Sequence, residues 1–506
     1  MTRTKLIAAA LGVAVVAVTM TVTQQLGAAE ERNAWSTVDW KPCDRDPKMQ
    51  CARLIVPADW RRTDGPTLPV ELVKVPARKP EQRIGSVVLN IGSGHNTSIL
   101  FEKDIPEAGM LRPTIDKLTE RADVVVFDQR GLGRPDTPTS FRCPKGPAPL
   151  GGLFFATDEA AWRAHAERNA AYDASCREAL GASYTGLNSW QIAHDVDALR
   201  AALGERKLRY VGNSYGTVYG QAYAELFPER IDRMYLDGVA DHTQPVFEDW
   251  LRNYAVAMER QFDRFRDWCV LRKGCPLYGS DVAQVWDDLV ARASKKPLPA
   301  SGGKTVSLQQ LHNGLMGSMP PPKWPMLAEG MAKARKGDAG DFLTLLPFPS
   351  RGDGGGGVMS VLLCHDFMPK QPTYQEFLAI EERLKAVAPR MGWLEGRFEV
   401  SRCLGVPDDP AVTYPPHPLR AKGVPPVLVG IGEVDQNTNN LGAAHVASQL
   451  PGARAFWHGD GHAAYLAGNK CLREHVNRYL FGGPLPQDGL RCPAELITKI
   501  PDRPTG

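Results

Sequence analysis

The sequence predicts an α/β chain, with a mostly parallel central sheet flanked by helices and a mainly helical segment inserted late in it. Three observations carry that expectation. Short apolar runs recur between residues 86 and 240, and most are followed by a stretch of helical periodicity. That is the pattern of strands covered on both faces by crossover helices. One run ends in Gly212-Asn213-Ser214-Tyr215-Gly216 and passes directly into a helical segment. The strand pattern then returns near residue 427, after a long stretch of different character.

The chain has 506 residues, 43% of them hydrophobic and 23% charged, which suits one large domain with an insertion. Its net charge of +3, with no basic stripe interleaved with aromatics, argues against nucleic acid as a partner. Residues 1–29 read as a signal peptide. Arg3 and Lys5 precede an apolar run from Leu6 to Val22, and Gly27, Ala28 and Ala29 suit cleavage. A retained membrane anchor competes, because the run is nearly long enough to span a bilayer. No cysteine lies there to carry a lipid. The expectation is a secreted protein with no stable membrane span after cleavage. Ten cysteines agree with export. Pairing in sequence order gives Cys43–Cys51, Cys143–Cys176, Cys269–Cys275, Cys364–Cys403 and Cys471–Cys492. No C-x-x-C or H-E-x-x-H is present, so neither a metal nor a cofactor is expected.

Residues 30–240 read as the first part of the sheet domain. Apolar runs at 86–91 and 122–128 both end at glycine-containing turns. Ile192, Val196, Leu199 and Leu203 recur at helical spacing, 207–211 reads as a strand, and 218–227 reads as a helix stopped by Pro228. Residues 231–238 form another strand. Residues 241–418 read as a helical cap, with aromatic-rich helices at 247–271 and 374–387 between irregular proline- and glycine-rich pieces. The glycine run at 352–357 lacks the lysine and Ser/Thr of a phosphate loop and reads as a mobile loop bordering the site. Residues 419–506 return to the sheet domain, with strands at 425–432 and 453–457 and a helix at 470–480.

The chemistry follows from Ser214. A serine on a sharp strand-to-helix turn stands exposed above the sheet, and its two glycines permit the turn. It needs a base, and the base needs an acid to hold its tautomer. Asp435, just beyond the strand at 427–431, is the candidate acid, with Glu433 as rival. His462, in a glycine-containing loop after the last strand, is the candidate base. His458 is the nearest rival and reads as a surface residue; His445 reads as structural. Asp460 reads as a supporting or surface carboxylate. Backbone N–H donors for an oxyanion are expected from Tyr215 and from Ser93, with Gly92 giving room. His95 is not needed for the chemistry.

Together these residues resemble the alpha/beta-hydrolase superfamily. More specifically, the chain resembles secreted bacterial tripeptidyl aminopeptidases, relatives of prolyl iminopeptidases with a TAP-like C-terminal region. The resemblance spans nearly all the mature chain. It rests on residues 128–133 (D-Q-R-G-L-G), 195–200 (D-V-D-A-L-R), 212–217 (G-N-S-Y-G-T) and 234–238 (M-Y-L-D-G), and on Gly461-His462 followed by Cys471, residues 479–486 and Cys492. It implies a serine peptidase with Ser214, Asp435 and His462 as triad, releasing short N-terminal peptides or single residues. The oxyanion loop departs from the family's N-P-G-G-P-G, reading N-I-G-S-G-H at 90–95. That change keeps open an esterase, lactonase or amidase acting on a small secreted metabolite with the same triad. A third reading is an inactive hydrolase fold used for binding. An exopeptidase must also hold a free amine, for which Asp366, Glu248 and Asp249 are candidates.

Overall fold

The computed structural model describes residues 35, 37–92, 97–102, 106–135, 137–149, 152–153, 158–345, 357–367, 370–495 and 497–503. The expected signal segment, Ser93 and His95 lie outside the described residues.

Alternation of buried and exposed side chains builds β2 (Gln50–Pro57) and β3 (Thr67–Val75) into an antiparallel pair, with short β1 (Lys41–Pro42) at its edge. The runs that are buried along most of their length become parallel strands instead. These are β4 (Ser86–Asn90), β5 (Asp123–Phe127), β6 (Leu208–Asn213) and β7 (Ile231–Asp237). A separate two-stranded sheet, β8 (Leu298–Ala300) with β9 (Lys304–Val306), lies among the helices that follow. The main sheet is completed by β10 (Leu428–Gly432), β11 (Arg454–His458) and β12 (Leu490–Cys492), in the order β1-β2-β3-β5-β4-β6-β7-β10-β11-β12. From β5 to β12 all neighbours run parallel. The winding reverses at β4, which has β5 on one side and β6 on the other. The carboxyl ends of strands at such a switch form a crevice, and here those ends are Asn90 and Asn213.

Between β7 and β10 the described chain is mainly helical, with a core of its own around Phe262, Phe265, Trp286 and Trp324. Helix Phe247–Val270 joins the two cores. Trp250, Leu251 and Ala255 pack with the sheet's core, while Phe262, Phe265 and Trp268 pack with the helical one. The middle of that helix, around Tyr254, therefore sits at the seam. All five cysteine pairs form in sequence order. Cys364–Cys403 ties helix Met359–Phe367 to helix Gly392–Cys403.

The D-Q-R-G motif at 128–131 is structural at its arginine. Arg130 and Asp195 are almost wholly buried and form a two-pronged pair, Nε–Oδ2 2.7 Å and Nη2–Oδ1 2.5 Å. Arg130 Nη1 also donates to Ala58 O at 2.9 Å, and Trp60 Nε1 donates to Asp195 at 2.8 Å. Arg130→Ala leaves the carboxylate buried without its counter-charge and is expected to cost about 3–5 kcal/mol in denaturant unfolding. A loss below about 1 kcal/mol would mean that the pair is dispensable.

Candidate active site

Strand β6 delivers Ser214 into a turn that few residues adopt. Ser214 has φ 54°, and only one other non-glycine residue among those described has positive φ, Ala463 at 58°. One is the candidate nucleophile and the other follows the candidate base, so backbone strain of about 1–3 kcal/mol each is concentrated where it aims side chains. The flanking glycines are steric necessities. A Cβ on Gly212 would lie 2.5 Å from Gly216 O, and one on Gly216 would lie 2.5 Å from Asn90 Oδ1. Helix Gly216–Leu226 begins at once, and Thr217 N donates to Ser214 O at 2.9 Å. The Tyr215 N–H stands before that first bond, at the start of the helix.

The end of β4 is drawn against this turn. Asn213 Nδ2 donates to Ile91 O at 2.8 Å, while Asn90 Oδ1 accepts from Gly92 N at 3.1 Å and Gln129 Nε2 at 3.3 Å. Gly92 has φ 109°, and a Cβ there would lie 2.8 Å from Ser214 Cβ. Its glycine identity thus answers to the approach of the serine. Ser93, the next residue, lies outside the described residues.

On the other side, the loops after β10 and β11 bring Asp435 and His462 together. His462 Nδ1 lies 2.9 Å from Asp435 Oδ2 and 3.1 Å from Oδ1. Asp435 also accepts from Thr438 N, Thr438 Oγ1 and Asn437 N, each at 2.9 Å. With Nδ1 carrying the proton to the carboxylate, Nε2 is the ring's free acceptor. Burial alone pushes the Asp435 carboxyl up, but the His462 charge and hydrogen bond and the Thr438 donors outweigh it, and its net shift is downward. Burial likewise opposes a charged His462, yet Asp435, and behind it Asp237, hold its pKa above the ordinary value.

The link between the two halves is a residue pair that the sequence did not single out. Asp237 O accepts from Ser214 N at 3.0 Å, and its carboxylate accepts from Tyr465 N at 3.2 Å, three residues beyond His462. Next to it, Gly238 has φ 57°, and a Cβ there would lie 2.8 Å from His462 Nδ1 and 3.2 Å from Asp435 Oδ2. The imidazole therefore rests on the backbone adjoining the residue that pins the serine. Gly238→Ala is expected to displace the ring and lower kcat by about 100-fold or more, without unfolding the chain. Steady-state kinetics with circular dichroism checks this, and unchanged kcat would detach the ring from that backbone.

The rivals are accounted for elsewhere. Glu433 forms ion pairs with Arg264 and Arg491. His445 bonds to Asp241 at 2.9 Å and Thr243 at 3.0 Å. His458 is not on the surface: it is 1% exposed, because β11 is paired on both sides, and its Nε2 faces Asp237 at 3.9 Å. Asp460 is buried and accepts from Asn469 Nδ2 at 2.9 Å. Asp366 does not await an amine. It is fully buried and accepts from Ser189 N at 2.9 Å, Ser189 Oγ at 2.5 Å and Tyr215 Oη at 2.7 Å. Burial pushes its carboxyl up to about 7 in spite of those donors. It anchors the side chain of the residue after Ser214. Glu248 is taken by Arg383 at 2.5 and 2.8 Å, and Asp249 is exposed.

A family described as alpha/beta hydrolase fold matches residues 103–325, and one described as TAP-like protein matches residues 393–492. The chain is similar to serine protease Hip1 of Mycobacterium tuberculosis, 28% identical over 500 residues covering 90% of this chain and 91% of that protein. It is similar to tripeptidyl aminopeptidase of Streptomyces lividans, 27% identical over 497 residues covering 92% and 88%. It is also similar to carboxylesterase B of M. tuberculosis, 27% identical over 470 residues covering 88% and 86%.

Proposed function

The chain is an alpha/beta hydrolase with a TAP-like C-terminal segment, and on that premise we propose that it is a secreted serine exopeptidase releasing short N-terminal peptides or single residues. Ser214 Oγ attacks the carbonyl carbon of the scissile bond while His462 Nε2 takes its proton. Asp435 keeps the proton on Nδ1 and stabilises the imidazolium. The developing oxyanion is received by the Tyr215 and Ser93 N–H groups. His462 passes its proton to the leaving amine, and the ester left on Ser214 is hydrolysed by water that the same histidine deprotonates. The helical segment 241–418 closes over this centre as a cap between core parts 30–240 and 419–506. Residues 1–29 direct export, in keeping with five disulfides.

The observation that carries this reading is the Asp435–His462 pair packed on Gly238, beside the residue whose carbonyl holds Ser214 N. Peptidase names among the relatives support the substrate class. The test is fluorophosphonate labelling of Ser214, followed by a panel of unblocked and N-blocked peptide amides. Labelling with cleavage of unblocked peptides alone is expected. Equal cleavage of blocked peptides would remove the exopeptidase reading, and absence of labelling would remove the nucleophile. The carboxylesterase relative favours a second reading, in which the same triad hydrolyses an ester, lactone or amide of a small metabolite. Ester turnover without peptide cleavage would select it.

A further inference from the structure

Three neighbouring strand ends meet beside the serine turn, and each supplies a primary amide. Asn90 ends β4, Asn213 ends β6, and Gln129 follows β5 by two residues. All three side chains are buried. Between them they hold the backbone of one short turn. Asn90 Oδ1 accepts from Gly92 N at 3.1 Å, Asn213 Nδ2 donates to Ile91 O at 2.8 Å, and Gln129 Nε2 donates to Gly92 O at 3.1 Å. Gln129 Nε2 also donates to Asn90 Oδ1 at 3.3 Å. It faces two oxygens that can only accept, so the nitrogen of the amide, not its oxygen, must point there.

The residue before Gln129 holds the other end of the same loop. Asp128 Oδ1 accepts from Thr97 N at 2.5 Å. Residues 128 and 129 thus grip the chain at Gly92 and at Thr97, and the residues between, 93–96, begin with Ser93. Gln129 is 1% exposed, and its buried Oε1 meets no hydrogen-bond partner among the described residues. Such an unpaired oxygen costs about 1–3 kcal/mol. A methionine of the same length would avoid that cost, so packing does not account for an amide at this position; its donor does. The consequence falls on the next N–H. A peptide is planar and trans, so a carbonyl fixed on one side directs the following N–H to the other. At Gly92 the carbonyl is fixed on Gln129, and the α-carbon is pressed against the nucleophile's turn: a Cβ there would lie 2.8 Å from Ser214 Cβ.

We propose that Gln129 is a positioning residue for oxyanion stabilisation: its NH2 group holds the Gly92 carbonyl so that the N–H following it is presented to the oxyanion formed at Ser214. The proposal rests on the serine-hydrolase reading and adds to it how one wall of the oxyanion site is held. Gln129 acts through the turn and not on the substrate. The dipole it sets is in place before charge develops, so no reorganisation is required during the reaction. Without its donor the Gly92 carbonyl loses a buried partner, the peptide plane can turn, and the N–H leaves the oxyanion.

The test compares a ligand that forms an oxyanion with one that does not. 4-Phenyl-1,1,1-trifluorobutan-2-one adds to Ser214: the Oγ–carbon bond forms, the carbonyl π pair moves onto oxygen, and the serine proton passes to His462 Nε2. The matching alcohol, 4-phenyl-1,1,1-trifluorobutan-2-ol, fills similar space without that step. Calorimetry with both ligands is expected to show wild type preferring the ketone by at least about 100-fold. Gln129→Met keeps the length and the packing, and Gln129→Glu sets an acceptor against two acceptors. In each, the preference is expected to fall by at least about tenfold, with alcohol affinity and circular dichroism unchanged. A wild-type preference in Gln129→Met would reduce the residue to packing and overturn the proposal. Equal weakening of ketone and alcohol would overturn it too, because the whole pocket would then have moved. Loss of the fold in both variants would overturn it by making Gln129 a stability residue. Wild type that neither prefers the ketone nor reacts with a fluorophosphonate would defeat the serine-hydrolase reading, and this inference with it. Wild type that does both, with variants that keep the preference, would defeat this inference alone.

Discussion

Ser214→Ala lowers kcat by about four to six orders of magnitude and leaves the fold in place. The physical ground is that the substitution removes one oxygen and nothing that supports the turn. Ser214 is held by its backbone, through N–H to Asp237 O and through its carbonyl to Thr217 N and Thr217 Oγ1. Alanine keeps all three bonds and the same strained φ of 54°. Serine-to-glycine is the informative companion. It should be equally inactive but more stable by about 1 kcal/mol, because glycine adopts that φ freely. Steady-state rates, fluorophosphonate labelling and denaturant unfolding on the same three proteins check both halves. Residual activity of Ser214→Ala above about a hundredth of wild type would assign the chemistry to another nucleophile.

The serine turn was legible because everything it needs is local: an apolar strand, two glycines and a helix within about twenty residues. The places of Asp435 and His462 were legible too, since each follows a strand that reads as such. The antiparallel strands β2 and β3 lie outside the sequence expectation, although their alternating burial is the signature of a sheet with one open face. Strand β12 has three residues and leaves no periodicity to detect. Asp237 and Gly238 lie in the M-Y-L-D-G motif at 234–238, but their work is long-range. They touch Ser214 across one strand boundary and the His462 loop more than two hundred residues later, and no local pattern encodes that meeting. His458 departs from its expected surface position for a related reason. Its burial depends on β12 arriving on its far side. Glu395 and Glu399 look, in sequence, like the solvated face of an amphipathic helix. The packing of that helix, chiefly against Phe247–Val270, buries them.

Asp435→Asn tests the other half of the site and predicts two separable effects. The first is a fall in kcat of about four orders of magnitude, because an asparagine amide can stabilise the wrong imidazole tautomer and carries no charge for the imidazolium. The second concerns pH. The imidazolium cannot take the Ser214 proton, so kcat/KM declines on the acid side as His462 becomes protonated. Burial works to lower the His462 pKa from 6.5, but Asp435 and Asp237 raise it beyond that value. The acid limb of the wild type therefore lies above the pH of an ordinary histidine, and loss of the Asp435 charge moves it to lower pH. Asp237→Asn should move it in the same direction by less, since that carboxylate makes no hydrogen bond to the ring and is partly committed to Tyr235 and Tyr465. Thr438, which also faces Nδ1 at 3.2 Å, is neutral and sets geometry rather than charge. The measurement is kcat/KM against pH for the wild type and both variants. An acid limb that stays fixed in Asp435→Asn would separate Asp435 from the group that titrates. A limb that moves with no fall in kcat would reduce Asp435 to an electrostatic neighbour of His462, leaving the tautomer to be held by Thr438.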